Sequence, residues 1–284
     1  MQRRVTVPEI LRRKGADKIV ALTAYDFPFG RLVDDAGADV ILVGDSLGMV
    51  VQGQETTLPV TLDEVVYHCR MVARARRRAL LVGDLPFLTY QVNPARAVRN
   101  AGRLIKDGGV DAVKLEGGVP MAETIHAIAR VDIPVMGHVG LTPQSVHRMG
   151  GHKVQGRRHG DAAGARERVI ADARAVEEAG AFAVVLEGIP LDLAAEITQL
   201  LTIPTIGIGA GPHCDGQILV LHDLLGLTFG VRPRFAKAYA DVANEVAGAV
   251  RAYAGEVRAG TFPTEAHSFH PIVSVERRTA EGRL

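Results

Sequence analysis

The sequence contains little cysteine, almost no net charge and no long apolar segment, and these absences exclude several classes of protein. Its two cysteines, Cys69 and Cys214, lie far apart and lack metal-ligand spacing, which is typical of reduced thiols in a cytoplasmic protein. The net charge of +1 gives no field that would attract nucleic acid or an acidic membrane surface. No apolar segment reaches the length of a membrane span, and the N-terminal arginines are not followed by the apolar run of a secretory signal.

The length of 284 residues and the hydrophobic fraction of 47% suit either one large α/β barrel or two smaller domains. A helix end, a glycine and a buried strand occur together three times, with the glycines at Gly37, Gly109 and Gly180. One further apolar strand fits into each interval between these copies. The chain is therefore predicted to alternate strands with helices, which is typical of a parallel sheet with right-handed crossovers.

Eight strands are predicted in this way, at residues 19–25, 40–44, 80–84, 112–116, 133–138, 183–187, 204–209 and 217–221. Eight strand–helix units in this length favour a closed (β/α)8 barrel, the TIM barrel. The alternative is an open doubly wound sheet, which should carry a glycine-rich dinucleotide turn after the first strand. The first strand ends in Tyr25-Asp26 instead, which is not such a turn. The glycine-rich segment 207–211 lies at the seventh strand, where we interpret it as part of the barrel wall and as the surface on which a ligand rests.

Helix signals separate the strands and set the expected domain limits. Thr6 and Glu9 match a capping box and predict a short N-terminal helix to about Lys14 that caps the barrel. Further helices are predicted at 27–36, 61–78, 93–106, 120–129, 161–179, 190–200 and 235–258. Thr61 with Glu64 matches a second capping box, and Asn93 before Pro94 is the expected N-cap of its helix. We predict one barrel domain over residues 1–262 and a poorly ordered C-terminal tail over 263–284.

Polar and charged residues stand where the predicted strands end, which is the face of a TIM barrel that carries the chemistry. They are Asp45 and Ser46 after strand two, Asp84 on strand three, Lys114 and Glu116 on strand four, His138 on strand five and Glu187 on strand six. Because side chains alternate along a strand, Lys114 and Glu116 should point the same way, with Val113 and Leu115 on the opposite face. A structural Lys–Glu pair is the alternative to a functional role, since buried charges are costly unless paired or bound.

Three of the acids, Asp45, Asp84 and Glu116, come from neighbouring strands and should need a cation between them. An oxygen-only ligand set indicates a hard ion, Mg²⁺ first, with Mn²⁺ or Ca²⁺ as alternatives. His138 is either a further ligand or a hydrogen-bond donor to a substrate carboxylate or oxyanion. Glu187 lies across the barrel mouth, where a carboxylate is placed to remove a proton.

The segment 150–160 follows strand five and is long, rich in glycine and cationic. Long loops at this face of a barrel are often lids. We interpret this one as a lid over an anionic substrate, with a solvated loop of no further role as the alternative.

Together the strand ends resemble the ketopantoate hydroxymethyltransferase family over about residues 5–262. The matching segments are Leu22–Asp26, Val43–Gly48, Gly83–Phe87, Val113–Gly118, Gly137–Gln144 and Ile206–Gln217. The resemblance implies a barrel of the phosphoenolpyruvate/pyruvate type that assembles as a homodecamer. Two positions depart from the family pattern: His152 stands where an aromatic residue is expected, and Gly188 where cysteine is common.

The resemblance also implies a reaction and roles for the residues. The family transfers a hydroxymethyl group from 5,10-methylenetetrahydrofolate to 3-methyl-2-oxobutanoate, giving 2-dehydropantoate and tetrahydrofolate in pantothenate synthesis. It implies one Mg²⁺ per subunit at Asp45, Asp84 and Glu116, oxoacid contacts from Asp45, Ser46, Asp84 and Lys114, and Glu187 as the general base. His138 is expected to contact the substrate as well, because it lies on strand five at the same face of the barrel. A lyase of the same barrel type that cleaves a C–C bond beside a 2-oxoacid and a non-catalytic oxoacid-binding barrel remain the alternatives.

Overall fold

The computed structural model describes residues 3–160, 164–230 and 233–270. The chain divides into two compact units, of which the first spans residues 1–239 and the second begins at residue 240. The domain boundary expected at residue 262 stays a prediction, and residues 271–284 of the expected tail lie outside the described residues.

The first unit contains a closed barrel of eight parallel strands in sequence order. The strands are β1 (Ile19–Thr23), β2 (Val40–Val43), β3 (Leu80–Asp84), β4 (Ala112–Glu116), β5 (Val135–Gly140), β6 (Ala183–Glu187), β7 (Thr205–Ile208) and β8 (Gly216–Leu219). Pairing of β1 with both β2 and β8 closes the sheet, which confirms the TIM barrel and excludes the open sheet. Strand β5 begins two residues later than predicted because Pro134 has no N–H to donate, although its carbonyl still accepts from Val113.

Helices connect the strands at nearly the predicted positions. In the first unit they are α1 (Val7–Leu11), α2 (Phe27–Asp35), α3 (Leu47–Val50), α4 (Leu62–Ala75), α5 (Pro94–Arg103), α6 (Ala122–Ala129), α7 (Val146–Met149), α8 (Arg166–Glu178), α9 (Leu191–Leu200) and α10 (Leu221–Leu225). The predicted caps Thr61 and Asn93 are present, since each side chain accepts a hydrogen bond from the first turn of its helix, and Asp26, which was not predicted as a cap, does the same for α2. The short helices α3, α7 and α10 were not predicted. Residues 161–163 of the helix predicted from Asp161 lie outside the described residues.

Strand alternation divides the apolar side chains into an inner and an outer core. Val113 and Leu115 of β4 belong to the outer core, between the barrel and its helices. Ala112, two residues before Lys114, belongs to the inner core inside the barrel. Lys114 and Glu116 therefore share the inner face with Ala112, as predicted.

The N-terminal segment covers the barrel end opposite the polar face. Val5 and Ile10 pack in the inner core with Ile19 at the start of β1. Beyond α1, Lys14 Nζ donates to Asp215 Oδ2 at 2.9 Å and Gly15 N donates to Asp215 Oδ1 at 2.9 Å. The predicted capping helix is thus present, although it ends at Leu11 rather than near Lys14.

The second unit contains helix α11 (Val242–Ala259), which begins seven residues later than predicted. Before it, residues 233–236 form a turn in which Ala236 N donates to Pro233 O. None of the described residues of α11 is buried. Four apolar side chains on it are exposed, and they recur at helical spacing: Val246, Val250, Tyr253 and Val257.

Among the described residues, no helix has the length and apolar character needed to cross a membrane. The cytoplasmic location stays a prediction.

Candidate active site

Strand register brings the predicted polar residues together inside the barrel. Asp84 of β3 lies opposite Lys114 of β4, and Glu116 of β4 lies opposite His138 of β5. All four side chains are buried. The eight strands are parallel and nearly equal in length. The charged residues at their C-terminal ends therefore lie at the same end of the barrel.

Lys114 is the cation of this cluster. Its Nζ lies 3.1 Å from Asp84 Oδ1 and 3.3 Å from His138 Nδ1. Burial lowers the pKa of Lys114, but Asp84, Glu116 and Asp45 more than offset burial, so that its pKa is raised overall. The lysine is therefore a fixed positive charge at any physiological pH.

His138 lies between Lys114 and Glu187. An ammonium can only donate, so Nδ1 of the ring accepts from Lys114 and the ring proton resides on Nε2. Nε2 is 3.2 Å from Glu187 Oε2, although at an angle that makes no hydrogen bond. Burial and the nearby Lys114 ammonium lower the pKa of His138, while Glu187 opposes them, so the neutral ring is favoured.

Glu187 is the most exposed acid of the cluster, with 15% of its side chain accessible, whereas Glu116 retains 3%. It ends β6 directly opposite Gly140 of β5. The carboxylate therefore faces the open mouth of the barrel, where a bound molecule would meet it.

Asp45 and Asp84 form a carboxyl pair. Asp45 N donates to Asp84 Oδ2 at 3.2 Å. Burial and, after it, the neighbouring Asp84 carboxylate raise the pKa of Asp45 to about 7, against Lys114 and Gln144, which lower it. Two buried acids this close need a counter-charge if both are to ionise.

Glu116 is held differently from these two aspartates. Its Oε2 accepts from Gln144 N at 2.9 Å, and its Oε1 lies 3.5 Å from His138 Nδ1. Burial raises the pKa of Glu116 well above its usual value, and Asp45 and Asp84 add to the rise while Lys114 opposes it.

Gln144 connects the two groups of acids and was given no role by the sequence argument. Its Nε2 donates to Asp45 Oδ2 at 2.8 Å and to Leu85 O at 3.0 Å, and its Oε1 accepts from Tyr90 Oη at 2.8 Å. Tyr90 Oη also accepts from Glu116 N at 3.1 Å, and it lies 2.9 Å from Glu116 O, the alternative acceptor for its single proton. In the sequence, Gln144 is marked only by its place at the end of the segment Gly137–Gln144. Nothing in the sequence indicates which residues its buried amide contacts.

Ser46 lies at the edge of the cluster. Its Oγ is 2.8 Å from Tyr25 Oη, so the hydroxyl has a partner already and a second hydrogen-bonding position to offer. Ser46 is half-buried, in contrast to Asp45 beside it.

A divalent cation fits the aspartate pair better than the full set of three acids. Among residues 3–160, 164–230 and 233–270, no three His, Cys, Asp or Glu side chains are grouped to hold one ion. Buried Asp84 Oδ1, however, has the Lys114 ammonium at 3.1 Å but accepts no hydrogen bond of good geometry from any described residue. Mg²⁺ usually takes only one or two protein carboxylates and fills its other positions with water and substrate. Asp45 and Asp84 meet that requirement, and four carboxyl groups against a single ammonium leave the cluster in need of positive charge.

The segment 150–160 is anchored beside β6, the strand that ends in Glu187, although most of its residues are exposed. Gln155 N donates to Gly188 O at 2.9 Å, and Arg166 N donates to Arg158 O. Gly188 has φ of +56°, a left-handed conformation that favours glycine and would strain a cysteine at this position. The glycine that departs from the expected family pattern is thus explained by its backbone.

The thiols take no part in the cluster. Cys69 and Cys214 are both buried and free. Burial raises the pKa of Cys214, so the group is an unreactive thiol at neutral pH, in line with the interpretation from sequence.

Comparison with known proteins identifies relatives across almost the whole chain. A family model described as ketopantoate hydroxymethyltransferase matches residues 4–265. A 3-methyl-2-oxobutanoate hydroxymethyltransferase of Trichlorobacter lovleyi is 59% identical over 270 residues, which cover 95% of this chain and 100% of that one. The protein of the same name from Geobacter sulfurreducens is 57% identical over 270 residues, with the same coverage.

Solved structures with the same fold are far more distant in sequence. A phosphonopyruvate hydrolase in complex with oxalate and Mg²⁺ superposes with a TM-score of 0.60 at 15% identity, covering 94% of this chain and 93% of that one. A 2,3-dimethylmalate lyase, described as a member of the PEP mutase/isocitrate lyase superfamily, gives 0.58 at 20% identity over 89% and 88%. These likenesses show a shared barrel fold and carry no information on the reaction.

Proposed function

Because the chain belongs to the ketopantoate hydroxymethyltransferase family, we propose that its barrel mouth joins a one-carbon unit to a 2-oxoacid. The reaction takes 3-methyl-2-oxobutanoate, 5,10-methylenetetrahydrofolate and water to 2-dehydropantoate and tetrahydrofolate, a step of pantothenate synthesis. Within the site, one observation carries the assignment of roles: a buried ammonium and paired aspartates lie beside a glutamate that faces the opening.

Asp45 and Asp84 would hold a divalent cation, with Mg²⁺ the expected ion. Glu116 would be the third predicted ligand, and Gln144, which contacts both Glu116 and Asp45, lies between it and the aspartates. When bound, the ion supplies Lewis acidity that stabilises negative charge on the 2-oxo oxygen and so acidifies the neighbouring carbon. The charge balance supports this assignment, because the acids outnumber the single lysine.

Lys114 and Ser46 would orient the oxoacid. A fixed ammonium neutralises negative charge on a bound anion, and its contact with Asp84 keeps the flexible side chain in place. The half-buried hydroxyl of Ser46 is available at the edge of the same space. His138 would donate from Nε2, since its Nδ1 already accepts from Lys114.

Glu187 would remove the proton from C3 of the oxoacid. A well-placed general base contributes about 10²–10⁴-fold to such a step. Glu187 suits the role because its carboxylate is partly exposed to the mouth and lies 3.2 Å from His138 Nε2. Water releases the methylene carbon from both folate nitrogens as formaldehyde, which leaves tetrahydrofolate. The carbanion then attacks the formaldehyde carbon, and the resulting oxyanion takes up a proton to become the hydroxyl of 2-dehydropantoate.

Proton exchange at C3 tests these roles without the second substrate. In D₂O with Mg²⁺, the C3 signal of 3-methyl-2-oxobutanoate should disappear with the intact protein and persist with Glu187→Gln, which keeps the side-chain shape. Glu178→Gln, on the exposed end of α8, is the matched control and should exchange like the intact protein. Exchange retained by Glu187→Gln would assign the base to His138 or another group.

The lyase alternative shares a cation site and an oxoacid anion, so exchange alone does not separate it. Turnover that depends on 5,10-methylenetetrahydrofolate separates the two reactions, because a lyase needs no folate. A non-catalytic binding barrel would bind the oxoacid without any C3 exchange.

The homodecamer implied by the family resemblance is also part of this proposal. Helix α11 supports an oligomer, since it presents Val246, Val250, Tyr253 and Val257 to solvent in one stripe. An exposed apolar stripe of this kind is typical of an interaction surface.

A further inference from the structure

A cavity of about 310 Å³ lies beside the active site and takes no part in the chemistry proposed above. Its walls come from the loop after β4, the end of β5, α7 and the first half of α8. Val139 and Val169 line it and belong to the outer core, so the cavity lies outside the barrel wall.

Only the strand ends separate this cavity from the candidate active site. Gly117, in the cavity wall, follows Glu116, and Gly140, also in the wall, pairs with Glu187 across β5 and β6. Because side chains alternate between the two faces of a strand, consecutive residues at these strand ends face the inner site and the outer cavity alternately. A long molecule that lies over the rim at these glycines can therefore reach both spaces.

The charge of the cavity favours a carboxylate. Arg148 of α7 lines it and makes no ion pair with any described residue. Arg168 of α8 lies 3.4 Å from Asp172, whose carboxylate also accepts from Val119 N at 2.9 Å. Two guanidinium groups thus face one acid, which leaves an excess of positive charge in the cavity. The planar guanidinium group matches the geometry of a carboxylate.

We propose that this cavity binds the glutamate carboxylates of the folate co-substrate while the one-carbon unit lies at Glu187. The inference rests on the proposed function and adds a subsite to it. In methylenetetrahydrofolate a p-aminobenzoyl unit separates the reactive nitrogens from the glutamate. That rigid spacer suits a path from the barrel mouth over Gly117 and Gly140 to Arg148.

The test compares two one-carbon donors that differ only in the glutamate. Steady-state kinetics are measured with 5,10-methylenetetrahydrofolate and with 5,10-methylenetetrahydropteroate, for the intact protein, Arg148→Gln and the control Arg96→Gln. Arg96 is an exposed arginine beside a different cavity. C3 exchange of the oxoacid in D₂O, which needs no folate, reports on the folding of each variant.

For the intact protein we expect KM to be roughly tenfold lower for the folate donor, the effect of one charge-assisted hydrogen bond. Arg148→Gln should raise KM for the folate donor to that of the pteroate donor, leave KM for the oxoacid and kcat nearly unchanged, and retain C3 exchange. Arg96→Gln should keep the preference.

Equal KM values for the two donors in the intact protein, or a preference that survives in Arg148→Gln, would overturn the cavity assignment alone. If C3 exchange is lost in Arg148→Gln, Arg168→Gln replaces it as the test variant with the same expected loss of preference. No turnover of the intact protein with either donor would overturn the proposed function and the subsite together.

Discussion

Replacing Gln144 by methionine should destabilise the protein and weaken cation binding at the same time. Methionine has nearly the shape of glutamine, so packing is kept while the hydrogen bonds are lost. Asp45 Oδ2 and Leu85 O each lose a donor in a buried place, whereas the Tyr90 hydroxyl can donate to Glu116 O in place of Gln144.

The magnitude follows from those two unsatisfied acceptors. Each costs about 1–3 kcal/mol, so a total of about 3 kcal/mol is expected. For a chain of this size that corresponds to a fall in Tm of about 6–12 °C. Loss of the bond that orients Asp45 should in addition weaken Mg²⁺ binding by roughly 10–100-fold.

Thermal unfolding in EDTA measures the first effect, and isothermal titration with Mg²⁺ measures the second. Gln91→Met is the matched control, because Gln91 contacts Gln144 from a half-buried position and touches neither acid. Its Tm and Mg²⁺ affinity should stay close to those of the intact protein. If Gln144→Met unfolds at the original temperature and binds Mg²⁺ as tightly, the amide does not hold Asp45 and the reasoning fails.

Four further predictions concern other parts of the chain. Asp84→Asn should raise the Mg²⁺ concentration needed for half-maximal C3 exchange at least tenfold, and an unchanged Mg²⁺ dependence would remove Asp84 from the cation site. Asp215→Asn should lower the free energy of unfolding at pH 7 by roughly 1–3 kcal/mol. Burial raises the pKa of Asp215, but hydrogen bonds from Thr205, Gly15 and Lys14 outweigh burial, so that its pKa is lowered overall. The stabilisation by the ionised carboxylate is therefore present above the unfolded pKa of about 3.9 and is lost as the pH falls through the pKa of the folded state. In urea titrations the difference between the two proteins should therefore shrink as the pH is lowered from 7 to 3, and a difference that does not shrink would exclude the ionic origin. Deleting residues 150–156 should raise KM for the oxoacid and lower kcat together, whereas unchanged kinetics would reduce the segment to a solvated loop. Val250→Asp on α11 should reduce the oligomer mass measured by light scattering, and an unaltered mass would place the subunit contact elsewhere.

Local signals in the sequence were sufficient for the order of elements. Thr61 and Asn93 cap their helices as predicted, because a cap depends on residues only three positions apart. Strand ends were less well predicted: β5 runs from Val135 to Gly140, since the neighbouring chain segment and the missing N–H of Pro134 decide where pairing starts. The limits of compact units lie beyond local signals as well, because packing between distant segments defines a unit and local composition does not.

The candidate site was predictable in its residues and less so in its contacts. Strand periodicity alone put Lys114 and Glu116 on one face. It could not reveal that Gln144 bonds to Asp45 across 99 positions of sequence, since only barrel closure brings the two together. Nor could it reveal that Glu116 accepts from the backbone of Gln144 or that the Asp45 N–H donates to Asp84.

The sequence by itself determined the alternation of strands and helices, the number of strands and which side chains reach the open end of the barrel. These properties depend on period, caps and breakers, which act over a few residues. Only the tertiary structure decided which atoms meet: that Lys114 lies against Asp84, that His138 faces Glu187, and that a cationic cavity opens behind Gly117. Those contacts depend on strand register and side-chain rotamers, which are fixed when eight separate strands close into one ring and every buried charge must find a partner.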